Sequence, residues 1–508
     1  MKNFTLLSLL LFYLSCHSQT DIFEKEWIGH ITLLGQERYA QVFTSKDTTF
    51  LRLPDEGPPG KYPLTSIEQE GAQVKFNTTY NNEKWTFSGT NEENDLLQGT
   101  FQTRNITGKF LLHQQLPIDK NDFEPCIGNF QLPSGDFLRV WQRRTYHEVH
   151  SPVSHRFAGL RRIGENRYLS SAGETLQFSD LQDGQFQSVE WESSDGQKIN
   201  APRAAPIRIE DHLVITSTDT IGASLYLPNT TGKHPACIIP IGAARYERYI
   251  SDLEAELFAT YGIATLIYDN YGYGKSTGNL REKSFVDKQQ TTIELFRWLQ
   301  RHPEIDGSTI GFRGASQGGR IAVMAAAEIP ETAFLLLVAT PMSTRMNQQL
   351  FALAEFHRQR NHSEEAIARS SEVWRQFFLT AADGTIDTAF VEEAQQVRSL
   401  YPNMELPNPN LETPPYYPWL DDILNRTSDY LPTVKCPVLC LFGPLDDRVP
   451  TQKSIQQLQA GLKKAGQPPA EVIVYDEVVG HSFTLPGFRI VPGLFMDQIR
   501  FMQKTLLE

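Results

Sequence analysis

From about Asp21 to about Ala205, apolar and polar residues alternate in short runs. Lys75-Phe76-Asn77-Thr78-Thr79-Tyr80 and Trp85-Thr86-Phe87-Ser88-Gly89 have the period of two that puts one kind of side chain on one face of a strand. Gly, Asn and Asp interrupt such runs about every 8 to 12 residues, the spacing of antiparallel strands joined by turns. Two blocks share this rhythm, one opening at Trp27-Ile28-Gly29 and the other at Cys126-Ile127-Gly128-Asn129-Phe130. The reading is an all-β domain over residues 21–205, built as two small antiparallel sheets or as one barrel- or sandwich-like body. The Pro-rich stretch Leu53–Pro63 is a long turn within the first block.

The pattern changes after Ala201-Pro202-Arg203-Ala204-Ala205-Pro206. Continuous apolar strands now alternate with amphipathic helices, as in a mostly parallel sheet covered on both faces. Ala236–Ile241, Ile263–Tyr268, Thr309–Arg313, Phe334–Val338, Val438–Phe442 and Val472–Tyr475 read as strands. Ser251-Asp252-Leu253-Glu254 has the form of a capping box, Leu253, Leu257 and Tyr261 share one helical face, and Gly262 stops the helix. Phe285–Arg301 is the next helix, and an Ala-rich helix runs to Ala327. Between about residues 340 and 430 the alternation stops. Helical patterns at Glu364–Leu379 and Phe390–Leu400 precede a Pro and aromatic stretch, Tyr401–Leu420. An insertion of about 90 residues is too long for a bare loop and should carry structure of its own. The fold class is therefore α/β over residues 206–508, doubly wound, with a helical cap insertion at 340–430.

Composition adds limits. The net charge of -13 argues against nucleic acid, whose binders need a basic face, and the overall field favours neutral or weakly charged substrates. Lys2 and the apolar run Leu6–Leu14, followed by Ser15-Cys16-His17-Ser18-Gln19, have the layout of a secretory signal peptide over residues 1–18. Leu14-Ser15-Cys16 is an imperfect lipobox, so a lipid anchor at Cys16 is the alternative outcome of export. The apolar run is too short to span a bilayer, and no later stretch is long enough. The other cysteines are Cys126, Cys237, Cys436 and Cys440. Cys436 and Cys440 lie on one strand about 13 Å apart, beyond disulfide reach, and the four read as small buried hydrophobes.

The chemistry centres on Gly314-Ala315-Ser316-Gln317-Gly318. A Gly-x-Ser-x-Gly pentapeptide alone is weak evidence. Here it follows a buried strand and opens a helix of small residues, which is where a strained turn lifts a nucleophilic serine to the sheet edge. A serine needs a base, and the base an orienting acid. In this arrangement the chain order is serine, acid, histidine. Gly443-Pro444-Leu445-Asp446-Asp447 follows a later strand and supplies Asp446, with Asp447 as the second choice. Of the twelve histidines only His481, in Val479-Gly480-His481-Ser482-Phe483, comes after it.

These motifs, together with Asp269-Asn270-Tyr271-Gly272-Tyr273-Gly274-Lys275-Ser276-Thr277-Gly278, resemble the α/β-hydrolase superfamily in its serine aminopeptidase-like and acyl-CoA thioesterase-like branch, from about residue 207 to 508. The amino-terminal part is similar to the lipocalin-like β domains that precede such hydrolases in exported bacterial proteins. The resemblance implies a Ser316, Asp446, His481 triad and an oxyanion hole from the backbone N–H groups of Gln317 and Ala243, with Ala244 as alternative. The first loop reads Pro240-Ile241-Gly242-Ala243-Ala244-Arg245 where the family has His-Gly, and Tyr271 stands where the family has Arg, which puts a structural ion pair in question. Arg245 and Arg248 are either solvated or readers of a substrate carboxylate.

The expected activity is hydrolysis of carboxylic esters outside the cytoplasm, through an acyl-enzyme on Ser316, with a small ester or short peptide as substrate and no cofactor. One alternative is a serine aminopeptidase, for whose free-amine site Glu364, Glu365, Glu392 and Glu393 are the candidates, although they read first as a solvated helix face; the other is an inactive binding protein. No metal site is expected: His147-Glu148-Val149-His150 with His155 lacks the helical His-Glu-x-x-His spacing. The Gly272 and Gly274 loop is not a dinucleotide fingerprint. Pro414-Pro415-Tyr416-Tyr417-Pro418-Trp419 either lines a pocket or packs the insertion onto the core.

Overall fold

A computed structural model describes residues 22–507, apart from 34–35, 54–59, 81, 93–94, 105, 144–145, 152–155, 194–195, 244, 384–387, 408–421, 477–478 and 486–488. The leader at 1–18, Cys16, the Pro414–Trp419 stretch, His155 and Ala244 thus lie outside the described residues. The chain divides into two compact units, the first reaching to Ala204 and also taking in Arg489, the second holding the remainder from Ala205.

The first unit holds two successive β bodies, one for each block of the repeated rhythm. Eight antiparallel strands, from Trp27–Leu33 to Thr107–Gln114, form a closed barrel, sealed where Trp27 pairs with Gln114 and Thr32 with Lys109. Its inward positions are large and aromatic. Phe76 stacks on Phe87 at 4.6 Å and Trp85 on Phe101 at 4.9 Å, with Trp27, Phe110, Val42 and Leu97 buried around them. An eight-stranded barrel is just wide enough for side chains to fill, and these rings fill it. The second body is an eight-stranded meander from Gly128–Gln131 to Lys198–Pro202. Its end returns to its beginning: Ala204 N–H donates to Asn129 O at 2.8 Å. The Arg203 guanidinium donates to the carbonyls of Ile127 and Pro125 at 2.7 and 2.8 Å. This region thus holds a closed barrel followed by a second eight-stranded antiparallel sheet.

The second unit is a mixed sheet whose strands are numbered here β1 (Arg208–Ile215), β2 (Thr220–Leu227), β3 (His234–Ile239), β4 (Ala264–Tyr268), β5 (Ile305–Ala315), β6 (Leu335–Val338), β7 (Val438–Phe442) and β8 (Glu471–Val474). Their spatial order is β1-β2-β4-β3-β5-β6-β7-β8. The β2 strand runs antiparallel to both neighbours, and β3 to β8 are parallel. Every residue of β4, β6 and β7 is buried, as expected of strands covered on both faces. The covering helices include α1 (Asp252–Thr260), α2 (Phe285–Gln300), α3 (Gln317–Glu328) and, after the cap, Thr451–Lys464 and Leu494–Leu507. In α3, Gly318, Gly319, Ala322, Ala325 and Ala326 are buried, so the helix backbone lies close to β5.

The capping expectation at α1 fails. Ser251 makes no side-chain cap and a short 3-10 turn, Arg248–Ser251, leads into the helix instead. The would-be cap residue Glu254 is taken by a part-buried ion pair with Arg313 of β5, because a buried guanidinium leaves a larger penalty unmet than a helix end does. The capping box of this region sits at α2, where Ser284 and Asp287 exchange side-chain to backbone bonds.

Among its described residues the insertion carries three α-helices, α4 (Arg345–Arg358), α5 (Glu364–Asp383) and α6 (Thr388–Leu400). The first was not legible as a separate helix; Thr344 caps it by accepting from Asn347 N–H at 3.2 Å. Two small apolar clusters support the cap, one around Met346, Leu350, Phe378 and Ile423 and one around Val373, Phe390, Ala394 and Val397.

Candidate active site

Ser316 joins β5 to α3 with φ +51° and ψ -119°, a conformation that non-glycine residues rarely adopt and that cannot persist without tight support. That support is visible on each side. Ser316 N–H donates to Val338 O at 2.8 Å, and its carbonyl accepts from Gly319 N–H at 3.1 Å as the helix opens. A Cβ on Gly314 would lie 2.5 Å from Gly318 O, and one on Gly318 would lie 2.4 Å from Pro240 O. Both flanking positions therefore exclude any side chain. The sheet places this turn at the carboxyl end of β5, with the dipole of α3 directed at it.

Asp446 and His481 are brought together at the carboxyl ends of neighbouring strands. His481 Nδ1 lies 3.0 and 2.9 Å from the two Asp446 carboxylate oxygens. A carboxylate only accepts, which assigns the proton to Nδ1 and leaves Nε2 as the basic nitrogen. Asp446 is itself held: Oδ1 accepts from Arg448 and Val449 N–H at 2.9 and 2.8 Å, and its side chain is fully buried. The two loops interlock, since a Cβ on Gly443 would lie 2.4 Å from Val479 O. Asp447 points elsewhere and accepts from Gln359 of the cap at 3.3 Å. Ser316, Asp446 and His481 thus all follow the carboxyl ends of strands, in the chain order expected.

Gln317 is the first residue of α3. The Gly242-Ala243 loop lies against the same turn, where a Cβ on Gly242 would come 3.1 Å from Gly318 N. Gln317 and Ala243 both line a cavity of about 550 Å³. Its wall includes Tyr271, Tyr273 and Phe285 and a set of cations, Arg245, Arg281, Lys283, Lys288 and Arg345.

Arg248 corrects the sequence reading. It is neither solvated nor free to meet a substrate, being 2% exposed. Its Nη1 pairs with Asp269 at 2.6 Å and its Nε donates to Ser224 at 2.6 Å, while Asp269 also accepts from Arg248 and Lys275 N–H at 2.8 Å each. The buried ion pair of the Asp269 segment is made by Arg248. The Tyr271 ring is buried, with its hydroxyl 2.6 Å from Thr291 Oγ1.

Sequence reasoning missed Lys288. It lies on the apolar stripe of α2, with Phe285, Thr292, Leu295, Phe296 and Leu299, and a lysine on such a stripe was the available signal. Burial, and next the nearby Arg345, pull its ammonium down to about 8, against the opposing charges of Asp422 and Asp287. Of the glutamates considered for an amine site, Glu364 pairs with Arg358 and Glu393 with Arg369. The described residues bring together one set with metal-ligand chemistry, Glu210, His212 and His302. It is tied by His to Glu contacts of 3.4 Å, and His302 precedes the amino end of β5, so the set lies away from the Ser316 turn.

This fold, with its serine turn and its paired carboxylate and imidazole, defines the α/β-hydrolase class. Residues 217–475, just over half of the chain, match the model of the X-Pro dipeptidyl-peptidase family, S15, and the chain belongs to that family. Among curated relatives, it is similar to the thiohydrolase aneE of Aspergillus aculeatus, at 25% identity over 300 residues that cover 56% of this chain and 88% of the relative. It is also similar to an uncharacterised 31.7 kDa protein of Escherichia coli, at 24% identity covering 54% of this chain and 95% of the relative. Among solved structures, an esterase of Pyrococcus furiosus aligns at 15% identity and a TM-score of 0.39, over 59% of this chain and 92% of its own. A 2,6-dihydroxy-pseudo-oxynicotine hydrolase aligns at 17% identity and a TM-score of 0.39, over 59% of this chain and 68% of its own.

Proposed function

We propose that the protein is an exported serine hydrolase that cleaves carboxylic esters through an acyl-enzyme on Ser316. The observation that carries this reading is the bond between His481 Nδ1 and the buried Asp446 carboxylate, 2.9 Å long, at the same sheet edge as a serine in a strained strand-to-helix turn. In the mechanism, His481 Nε2 takes the Ser316 proton as Oγ attacks the ester carbonyl, and Asp446 stabilises the imidazolium. The N–H groups of Gln317 and Ala243 hold the oxyanion. The tetrahedral intermediate collapses, the imidazolium protonates the leaving alcohol, and an ester on Ser316 remains. Water, deprotonated by His481, attacks that ester and releases the acid. Export rests on the leader pattern at residues 1–18, with acylation of Cys16 as its variant.

The second reading is peptide hydrolysis, favoured by the family to which the chain belongs. A peptidase that removes residues from a free amino terminus must hold an ammonium group, which calls for carboxylates. The described cavity beside Gln317 is lined by cations and by no Asp or Glu, and this supports the ester reading over that one. The test is a panel of p-nitrophenyl esters of rising chain length beside aminoacyl-p-nitroanilides, with Ser316→Ala as control. Ester cleavage lost in Ser316→Ala is expected. Cleavage of anilides but not esters would replace the first reading by the second. Failure of a fluorophosphonate to label Ser316 in folded protein would make the chain a binding protein on a hydrolase frame.

A further inference from the structure

Lys288 is 8% exposed. Among the described residues its ammonium makes one hydrogen bond, 3.4 Å long, to Gln317 Oε1, and no ion pair. A buried ammonium with no carboxylate bonded to it carries a desolvation penalty that a bound anion would relieve, and Lys288 lines a cavity rather than packed core. Cations outnumber acids around it. The guanidinium groups of Arg320 and Arg345 both lie over the Phe285 ring, at 5.4 and 5.0 Å. Arg320 is committed to the carbonyls of Ser343 and Asn425, at 3.1 Å each. The buried Asp422, which accepts Phe285 N–H at 2.6 Å, sets its one negative charge against Lys288, Arg320 and Arg345 together, and Asp287, in the capping box of α2 with Ser284, adds a second. Two exposed arginines of the wall, Arg245 and Arg281, add to the same sign.

We infer that this cavity binds a carboxylate carried by the substrate, with Lys288 and Arg345 as its ligands. The inference rests on the hydrolase reading and deepens it: the preferred ester is an anionic one, with its charge a short distance from the carbonyl that Ser316 attacks. The net charge of -13 does not oppose this. Beyond about a Debye length, roughly 8–10 Å, exposed charges are screened, whereas a partly enclosed cationic pocket acts on its contents at close range. A desolvated carboxylate between an ammonium and a guanidinium gains charge-assisted bonds in both the Michaelis complex and the transition state, so the effect should fall mainly on KM.

The test compares matched substrates. Mono-p-nitrophenyl glutarate is set against p-nitrophenyl butyrate for charge on the acyl side. For charge on the leaving group, 4-acetoxybenzoate is set against its methyl ester. We expect the anionic member of one pair to be preferred by about tenfold or more in kcat/KM, the worth of one charge-assisted bond. The pair that responds tells which side of the substrate the cavity holds. That preference should drop to near one in Lys288→Met and in Arg345→Gln, be largely kept in Lys288→Arg, and weaken with added salt. Free glutarate should also slow fluorophosphonate labelling of wild-type Ser316, a readout that needs no variant to fold. Cleavage of p-nitrophenyl butyrate with no preference for the anion in either pair would overturn the inference and leave the hydrolase reading standing. No cleavage of any ester and no labelling of Ser316 would remove both.

Discussion

The imidazole of His481 reaches the Asp446 carboxylate across 35 residues of chain, with Nδ1 at 2.9 Å from Oδ2 and 3.0 Å from Oδ1. Two backbone N–H groups from Arg448 and Val449 fix the acid from behind. If this pair orients the base, Asp446→Asn should keep the shape and lose the function. An amide in that place can present its NH₂ to Nδ1 and favour the wrong tautomer, so kcat should fall by about 10³–10⁴-fold with little change in melting temperature. Asp447→Asn, whose parent carboxylate meets Gln359, should leave kcat within about twofold. Equal effects of the two substitutions on p-nitrophenyl butyrate hydrolysis would dismiss the assignment.

The turn around Ser316 tolerates no added methyl group. A Cβ on Gly318 would lie 2.4 Å from the carbonyl of Pro240, which is backbone and cannot swing aside. Gly318→Ala should push the Pro240–Ala243 loop away from α3 and so displace one oxyanion donor. A loss of about 10²–10³-fold in kcat is expected, the usual effect of removing such a donor. Wild-type turnover in the folded variant would show that this loop plays no part.

Arg248 and Asp269 form a buried pair, with side chains 1% and 0% exposed. Asp269→Asn leaves the buried guanidinium with only the half-exposed Asp211 carboxylate, 3.1 Å from Nη2, and the catalytic unit should lose about 3 kcal/mol, the low end of the usual cost of breaking such a pair from one side. Lys275 and Asp211, a pair at 3.1 Å with side chains 55% and 46% exposed, offer the contrast. Lys275→Met should cost no more than about 1 kcal/mol. Denaturant titration of both variants checks the ordering.

Lys288 should make the protein less stable than it need be. Its folded-state value of about 8 lies below the ordinary 10.5, so the unfolded chain holds that proton more tightly. Between those two values the unfolded state binds more protons than the folded one, and this contribution to stability rises with pH. Below about pH 8 the whole penalty, roughly 3 kcal/mol, is present. Lys288→Met removes it. The variant should melt above wild type at pH 7, and the gap should narrow by pH 10. The charges that set this value face Lys288 from α2 (Asp287), α4 (Arg345) and the Asp422 turn, with Gln317 of α3 as its hydrogen-bond partner. A gap independent of pH would show that the ammonium carries no such penalty.

Most of the secondary structure could be read along the chain because its signals are local. Period two gives the strands before residue 204, and apolar runs separated by amphipathic segments give β3 to β8 and their helices. The errors fall where a local signal lost to a distant partner. Ser251 and Glu254 carry the capping pattern, yet Glu254 is drawn to Arg313. Arg248 looks like a surface cation beside Arg245, yet it is buried on Asp269. Helix α4 lacks a clear start because its cap, Thr344, lies in a turn that reads as loop until Asn347 folds back onto it.

The order serine, acid, histidine, the glycines around Ser316 and the lone histidine after Asp446 were enough to single out the three candidate site residues by sequence alone, since these are constraints on spacing and steric room. Only the tertiary structure decided that Asp446 rather than Asp447 meets His481, that the barrel interior is filled by aromatic rings, and that Lys288 and Arg345 line a cavity next to Gln317. Charge pairing and burial depend on which side chains distant segments bring within a few ångströms, and no period or motif along the chain encodes that distance.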